Sequence, residues 1–195
     1  MTQVLIVLAA VLVAVGAMLA VIIPTALLRR ARRLIESDVP PVDERTLAEF
    51  AAQRPTFTMT VTNHLAAPPD KVWPVLENNA FSWIPMINGV SYADTDRAPG
   101  TVRKLDLLFF AAAEQVTHRS PGSRLSVTGI HTSIPVAVKS YTVDYQLRET
   151  DDGGTDLEWT IAGRPALFAF LPLSWTAVFI RPFARIIMAQ LQSRL

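Results

Sequence analysis

The sequence predicts an α+β protein in which about seven antiparallel strands and a long C-terminal helix follow one transmembrane helix. Three observations indicate this fold class. An apolar run from Val4 to Leu28 ends at a cluster of arginines. From Phe57 onward, apolar and polar residues alternate in short segments separated by turn sequences. The last residues return to helical spacing. The predicted units are an anchor at 1–33, a linker at 34–56 and a folded domain at 57–195.

The run from Val4 to Leu28 has the length and composition of a membrane span. It contains no charged side chain. About 25 residues rising about 1.5 Å each give roughly 37 Å of helix, which exceeds the roughly 30 Å of hydrocarbon in a bilayer. The excess length is compatible with some tilt.

Positive charge lies on one side of this predicted span. The residues ahead of it contain no Lys or Arg, whereas an arginine cluster follows at once. The positive-inside rule then places the N-terminus outside and the C-terminal domain in the cytoplasm. We therefore predict a single-pass protein of the inner (plasma) membrane, with the bilayer as a partner. The residues predicted to contact the membrane are Arg29, Arg30, Arg32, Arg33 and Trp175.

Two further interpretations concern the same segment. A cleaved signal peptide would have a basic start and an apolar core of about 7–15 residues, and the sequence has neither. Gly16 and Ala20 form a small-xxx-small pair that would allow two spans to pack, although alanine-rich helices produce such pairs by chance. The oligomeric state is therefore left open.

The composition argues against several classes of function. The net charge is +1 and no basic stripe follows the arginine cluster, so a nucleic-acid partner is not expected. The chain has no cysteine, which excludes disulfides, thiolate zinc sites and cysteine nucleophiles. It also lacks a nucleophile elbow, a phosphate loop and a dinucleotide fingerprint, so no cofactor is expected.

The first part of the domain alternates between short helices and a strand. Pro40-Pro41 stiffens the linker, and Asp43 is predicted to cap a short helix that runs to Gln53. The segment from Phe57 to Leu65 has the period of a strand with one buried face. Pro68 begins a helix that runs to about Leu76. A helical turn is expected at Phe81–Ile84.

A series of strands follows, with turn residues at the breaks. Pro99-Gly100, Pro121-Gly122 and Gly153-Gly154 supply the turns. The last hairpin is the clearest, because Tyr141 to Leu147 and Leu157 to Ile161 both alternate between apolar and polar residues. The predicted strands are 89–96, 101–110, 113–120, 124–132, 136–149 and 155–163.

The C-terminal part is strongly apolar. Ala166 to Ile180 is interrupted by Pro172 and is short for a second membrane span. Two interpretations of this segment stay open: burial in the core, or a lip at the bilayer through which an apolar ligand enters. An amphipathic helix is predicted after it, from the helical spacing of Phe179, Phe183, Ile187 and Leu191.

Segments spread along the domain carry a family resemblance: Phe57–Leu65, Ala67–Trp73, Trp83–Pro85, Tyr141–Tyr145 and Gly154–Trp159. In these motifs and in element order the chain resembles the helix-grip fold of the START and Bet v 1-like superfamily, often called SRPBCC. It is most similar to the polyketide cyclase/dehydrase branch. The resemblance implies a curved antiparallel sheet around the terminal helix. It also implies a cavity between them for a lipid, sterol, polyketide or similar apolar molecule.

Candidate ligand-binding residues are aromatic side chains with an apolar body and a polar tip. The alternative is that these residues only fill the core. His131 shares its parity with Leu125 and Val127, so it is predicted to face inward as a ligand contact and a candidate general base. The alternative for His131 is a hydrogen-bonded wall residue. The aromatic candidates are Trp83, Tyr141, Tyr145 and Trp159.

No metal site is predicted. The histidines His64, His118 and His131 lie on different predicted strands and lack the spacing of paired ligands.

The function predicted from these observations is membrane-tethered binding, with transfer as an extension, of a hydrophobic small molecule or lipid in an internal cavity. One alternative is an enzyme of the cyclase or dehydratase type with an apolar or polyketide-like substrate. Another is an interaction module with a filled core and no ligand. The sequence does not decide whether the protein is an enzyme, since a fold resemblance does not supply a reaction.

Overall fold

The computed structural model describes residues 2–52, 54–79, 82, 87–135, 138–165, 186, 190–193 and 195. Its elements, in chain order, are α1 (Thr2–Glu36), α2 (Glu44–Ala52), β1 (Phe57–Leu65), α3 (Pro69–Asn79), β2 (Ile87–Tyr92), β3 (Val102–Leu107), β4 (Phe110–Ser120), β5 (Arg124–Thr132), β6 (Val138–Glu149) and β7 (Thr155–Pro165).

The strands form one antiparallel sheet of seven strands in the order β1-β7-β6-β5-β4-β3-β2. Strands β2 to β7 are consecutive hairpins, and β1 returns to pair with β7 at the far edge. The curled antiparallel sheet with its helices confirms the predicted α+β class and fits the helix-grip fold. Apart from Ser82, which lies in a turn, the predicted helical turn at Phe81–Ile84 lies outside the described residues, as does the segment Ala166–Ile187 except Ile186.

One side of the sheet, called here the inner face, carries the main hydrophobic core. Met59 and Val61 of β1 lie beside Trp159 of β7, and the same face continues through Val143 and Val127. The apolar side of α3 packs on it through Val72, Trp73 and Leu76, all buried. Near the C-terminus, Leu191 lies in a helical stretch and is fully buried in the same core.

The predicted transmembrane anchor and inner-membrane location are wrong: among the described residues, no helix is long and apolar enough to cross a membrane. The predicted span ends at Leu28, whereas α1 continues as one helix through the arginine cluster to Glu36. The end of α1 packs on the sheet, where Ala31 and Leu34 are buried against Ala111. The charged last turns therefore belong to a helix that lies against the domain.

The opposite side of the sheet, the outer face, is covered by the segment that follows α1. The Lys104 ammonium donates to the carbonyls of Ile35, at 2.7 Å, and Ser37. The Gln115 side chain bonds both backbone groups of Val42, accepting from its N–H at 2.8 Å and donating to its carbonyl at 3.1 Å. Residues 35–42 are thus fixed to β3 and β4 by hydrogen bonds.

Helix α2 then lies over the outer face of β5 and β6. Its N-terminus has the predicted cap, since the Asp43 carboxylate accepts from the Thr46 backbone N–H at 2.8 Å. Grooves of about 550 Å³ and 220 Å³ separate α2 and the following residues from the strands. Their lining includes Leu47 and Phe50 of α2, together with hydroxyl-bearing, charged and apolar residues of the sheet.

Candidate functional site

Three polar side chains meet in the middle of the apolar inner face. Strands β3, β4 and β6 contribute Arg103, Glu114 and Tyr141. The Arg103 Nε donates to Glu114 Oε2 at 2.7 Å, and the Tyr141 hydroxyl donates to Glu114 Oε1 at 2.7 Å. Only 2% of the Arg103 side chain and 1% of the Glu114 side chain are exposed. Both carboxylate oxygens of Glu114 are therefore engaged in a buried triad.

The register of the sheet explains how these side chains meet. Arg103 lies directly opposite Glu114 across β3 and β4. Glu114 and Tyr141 are separated by one strand, and the residue between them on β5 is Gly129. Because Gly129 has no side chain, the Tyr141 ring lies across β5 and its hydroxyl reaches Glu114.

The electrostatics of the triad follow from its burial. Burial lowers the pKa of Arg103, but the charge of Glu114 together with contributions from Tyr92 and Tyr145 outweighs burial and raises the pKa of Arg103 above its ordinary value. Burial, reinforced by the negative charge of Glu114, raises the pKa of Tyr141 well above its ordinary value. The triad therefore consists of a guanidinium ion, a carboxylate and a neutral phenol that donates its proton to a hydrogen bond.

An aromatic wall continues from the triad toward β7. The rings of Tyr145 and Trp159 lie opposite each other on β6 and β7, with centroids 6.2 Å apart and planes 9° from parallel. Both residues are buried, and burial raises the pKa of the Tyr145 hydroxyl. The wall and the triad form one surface that is apolar along most of its length and polar at one place.

A second group of charges, called here the Glu77 cluster, lies between α3 and the end of β4. The Arg119 Nε is 2.6 Å from Glu77 Oε1, and the Arg97 Nη1 is 3.3 Å from Glu77 Oε2. The indole N–H of Trp73 also donates to Glu77 Oε2, at 3.2 Å. Burial raises the pKa of Glu77, but the hydrogen bond and charge of Arg119, with smaller contributions from Arg97 and Trp73, lower it overall.

The aromatic residues predicted as ligand contacts are only partly described. Tyr141, Tyr145 and Trp159 lie together on the inner face. Trp83 and Trp175 lie outside the described residues. Arg29, Arg30, Arg32 and Arg33 are exposed on α1. Their predicted membrane contact depended on the anchor, which the structure does not support.

His131 does not face inward as the strand parity predicted. It is exposed and lies opposite Ala113, on the same outer face as Lys104. The cause is a β-bulge: His131 pairs with Ala113, but Gly129 pairs with Glu114, so β5 has one extra residue at this point. A shift of one residue moves a side chain to the other face of the sheet. His131 is thus separated from the triad by the sheet itself.

The other histidines also lie away from the triad. The His64 ring lies on the outer face of β1 between two carboxylates, with Nδ1 3.0 Å from Asp156 and Nε2 3.2 Å from Asp152. His118 is exposed and bonds the Ser120 hydroxyl at 3.1 Å. Within the described ranges, no group of His, Asp and Glu side chains has the geometry of a metal site.

Sequence reasoning did not identify the triad or the Glu77 cluster. The sequence does not reveal which face of β4 carries Glu114, because a second bulge between Val116 and His118 interrupts the alternation of that strand. Arg103 lies beside Lys104 in a strand of mixed charge, and Glu77 follows the apolar side of α3 as a single charged residue. The available signal was the pair of opposite charges, Arg103 and Glu114, at equal distances from the β3–β4 turn, which places them opposite each other in a hairpin.

Comparisons with known proteins agree with this geometry. The family model described as "Polyketide cyclase / dehydrase and lipid transport" matches residues 56–195. This range contains the whole sheet, the triad and the Glu77 cluster. No curated protein matches the chain.

Solved structures share the fold at low sequence identity. A START superfamily protein from Mycobacterium smegmatis aligns with a TM-score of 0.58 at 12% identity, covering 70% of this chain and 95% of that protein. Ara h 8.0201 aligns with a TM-score of 0.55 at 15% identity, covering 71% and 96%. A protein from Nitrosospira multiformis aligns with a TM-score of 0.52 at 19% identity, covering 70% and 94%. These similarities show the fold alone; the family-model match over residues 56–195 is what confirms the predicted family resemblance.

Proposed function

The chain belongs to the polyketide cyclase/dehydrase and lipid transport family, and from this premise we propose that it binds a hydrophobic small molecule or lipid on the inner face of its sheet. The observation that supports this most strongly is the buried Arg103–Glu114–Tyr141 triad within an otherwise apolar surface. The family supports hydrophobic ligand binding in general, and the triad adds a place where one polar group of such a ligand would be recognised.

The triad is better explained by binding than by stability. A buried ion pair contributes little net stability, because the cost of desolvating both charges offsets most of their attraction. Apolar residues of similar volume would fill the same space at least as well. In contrast, a guanidinium with five N–H donors and a phenol with free lone pairs are suited to hold a hydroxyl or carbonyl oxygen in a surrounding that excludes water.

In the proposed binding mode, burial of apolar ligand surface provides affinity and polar contacts set the orientation of the ligand. The aromatic wall of Tyr145 and Trp159 removes apolar ligand surface from water, at roughly 25 cal/mol per Å². The Arg103 and Tyr141 polar atoms then fix which end of the ligand points toward β3. Few polar contacts in a mostly apolar site are typical of small-molecule binding sites.

A cyclase or dehydratase activity is the second candidate, and the Tyr141–Glu114 hydrogen bond favours it. The Tyr141 oxygen would take an α-proton from a ketone substrate while passing its own proton to Glu114, 2.7 Å away, and the Arg103 guanidinium would stabilise the enolate oxygen that forms. This assignment replaces His131 as the acid–base residue, since His131 lies on the outer face.

The proposed function is tested by direct binding. The full chain would be purified and analysed by native mass spectrometry for co-purifying molecules, then titrated with a neutral fluorescent polyene alcohol. We expect saturable binding that Tyr141→Phe weakens about fivefold, because that variant keeps the ring and removes the polar tip. Thr60→Val is the matched control, since it removes a hydroxyl that pairs with Thr160 on the outer face.

Two outcomes would contradict the proposal. Absence of both a co-purifying molecule and saturable probe binding would leave an interaction module with a filled core as the explanation. Equal loss of binding in Tyr141→Phe and Thr60→Val would show that the triad is not part of the binding site. If the unmodified protein converts a bound polyketide-like molecule and Tyr141→Phe does not, the result would instead favour the cyclase or dehydratase activity.

A further inference from the structure

The Glu77 cluster contains more positive than negative charge. Two guanidinium groups, those of Arg97 and Arg119, share the single carboxylate of Glu77. The Glu77 side chain is 7% exposed, whereas those of Arg97 and Arg119 are 29% and 23% exposed. The carboxylate is thus buried behind two cations that reach toward solvent.

Each guanidinium has donors left over. Arg119 contacts Glu77 through Nε, and Arg97 contacts Glu77 and Asn78 through Nη1. In the part of the chain that the structure describes, no other hydrogen bond of these two groups is found. Since a guanidinium carries five N–H donors, each has several available for a further acceptor. Carboxylate and phosphate oxygens match this planar arrangement of donors best.

Aromatic rings hold both cations in place. The Arg97 guanidinium lies over the Tyr92 ring, 4.7 Å from its centroid, and that of Arg119 lies 5.9 Å from the Trp73 ring centroid. Arg97 also has a φ of 54°, a backbone conformation that is uncommon for a residue with a side chain. The rings and Glu77 therefore pre-organise the two arginines before any ligand binds.

The cluster is continuous with the inner face. Arg119 lies opposite Leu125, which in turn lies opposite Tyr145 of the aromatic wall. Tyr92 connects the two charged groups, because its ring supports Arg97 while its hydroxyl is 3.5 Å from the Arg103 Nη1. Along the inner face, the charged side chains are thus buried at the triad and partly exposed at the Glu77 cluster.

We propose that Arg97 and Arg119 bind the anionic head group of an amphiphilic ligand, a carboxylate or a phosphate monoester, while its apolar part lies on the inner face. This inference rests on the proposed function and specifies its ligand class. Glu77 holds the arginines apart and leaves them with net positive charge. The exposed Asp96 also attracts Arg119, but less than Glu77 does, and its charge is screened by solvent.

The test compares ligands that differ only in the head group. A long-chain polyene fatty acid, the alcohol of the same chain and its monophosphate ester would be titrated into the full-length protein by fluorescence. We expect the acid or the phosphate to bind about tenfold more tightly than the alcohol, since charge-assisted hydrogen bonds are stronger than neutral ones. The preference of the acid over the phosphate, or the reverse, identifies the head group.

The variants Arg119→Gln and Arg97→Gln would each reduce this preference severalfold while leaving the affinity for the alcohol nearly unchanged. Arg97 lies in a loop, so Arg97→Gln provides the test if Arg119→Gln does not fold. Arg124→Gln is the control, because it removes an arginine, more exposed than these two, that pairs with Asp144 on the outer face. Circular dichroism would verify that each variant folds.

Each result has a distinct meaning. Equal affinities for acid, phosphate and alcohol in the unmodified protein would overturn the head-group inference and leave hydrophobic binding intact. A preference for anions that Arg124→Gln reduces as much as Arg119→Gln would also overturn it. Absence of binding by all three probes would count against the proposed function itself.

Discussion

Gly129 lies directly opposite Tyr141 in the sheet, and a Cβ at position 129 would come within 2.6 Å of the Cδ1 and Cζ atoms of Tyr141. No side chain therefore fits between the Tyr141 ring and the backbone of β5. This contact allows a residue on β6 to bond a carboxylate on β4, two strands away. The triad thus depends on a residue that has no side chain of its own.

The variant Gly129→Ala tests this relationship. The methyl group would displace the Tyr141 ring and break its hydrogen bond to Glu114, so we expect the free energy of unfolding to fall by about 1–3 kcal/mol. Urea denaturation measures the change. Gly16→Ala is the control, since nothing lies within 4 Å of a Cβ there. Unchanged stability in Gly129→Ala, with the Tyr141–Glu114 bond retained in a structure of the variant, would contradict the prediction.

The buried ion pair makes a prediction about single and double variants. Glu114→Leu leaves the Arg103 charge buried without its partner, which typically costs about 3–5 kcal/mol of stability. The double variant Arg103→Met/Glu114→Leu removes both charges, so we expect it to recover most of that loss. Thermal and chemical denaturation of both proteins would measure this. A double variant no more stable than the single one would show that the pair itself stabilises the fold.

The contacts of His64 predict how the stability of the protein depends on pH. The hydrogen bond to Asp156, together with the charge of Asp152, outweighs partial desolvation and raises the pKa of His64 above its ordinary value. Its stabilising contribution is therefore fully present below the pKa of the unfolded chain, about 6.5, and is lost as pH rises through the higher folded value. NMR titration of the imidazole signals would measure the shift.

Two variants, each with one carboxylate replaced by an amide, test the cause of this pKa shift of His64. Asp156→Asn should lower the pKa of His64, because it removes the strongest of its stabilising contacts. Asp106→Asn, on the distant strand β3, should leave it unchanged. An identical titration midpoint for His64 in Asp156→Asn and the unmodified protein would mean that the pair does not form in solution.

The attachment of the N-terminal segment depends on Lys104. Its ammonium bonds the carbonyls of Ile35 and Ser37 at the end of α1. Lys104→Met would leave both carbonyls without this partner, so we expect a loss of about 1–2 kcal/mol and faster cleavage within residues 37–43 by a protease. Lys71→Met, at an exposed position of α3, is the control. Equal cleavage rates in the two variants would show that the segment is held by other contacts.

Much of the architecture was predictable because it follows from local patterns. The alternation at Tyr141–Leu147 and Leu157–Ile161 predicted the last hairpin, which β6 and β7 form with Tyr145 opposite Trp159. The motifs along the domain predicted the family, which the match over residues 56–195 confirms. Asp43 was predicted as a helix cap and is one. Such features depend on residues close together in sequence.

The errors came from features that no local pattern contains. The facing of His131 was wrong because a bulge inserts one residue between Gly129 and His131, and parity along one strand does not reveal an extra residue relative to its partner. The predicted membrane anchor was wrong because hydropathy ends at the arginines, whereas α1 continues and packs Ala31 and Leu34 on the sheet. Both errors concern contacts with a neighbouring strand, which residues close together in sequence do not reveal.

The sequence by itself therefore determined the sheet, its order of hairpins and the family, since alternation, turn residues and caps act over a few neighbouring positions. Only the tertiary structure decided which charges meet. Arg103, Glu114 and Tyr141 come from three strands, and Glu77, Arg97 and Arg119 from a helix, a loop and a strand end. Their contacts are set by register, bulges and the missing side chain of Gly129, and these are properties of paired strands.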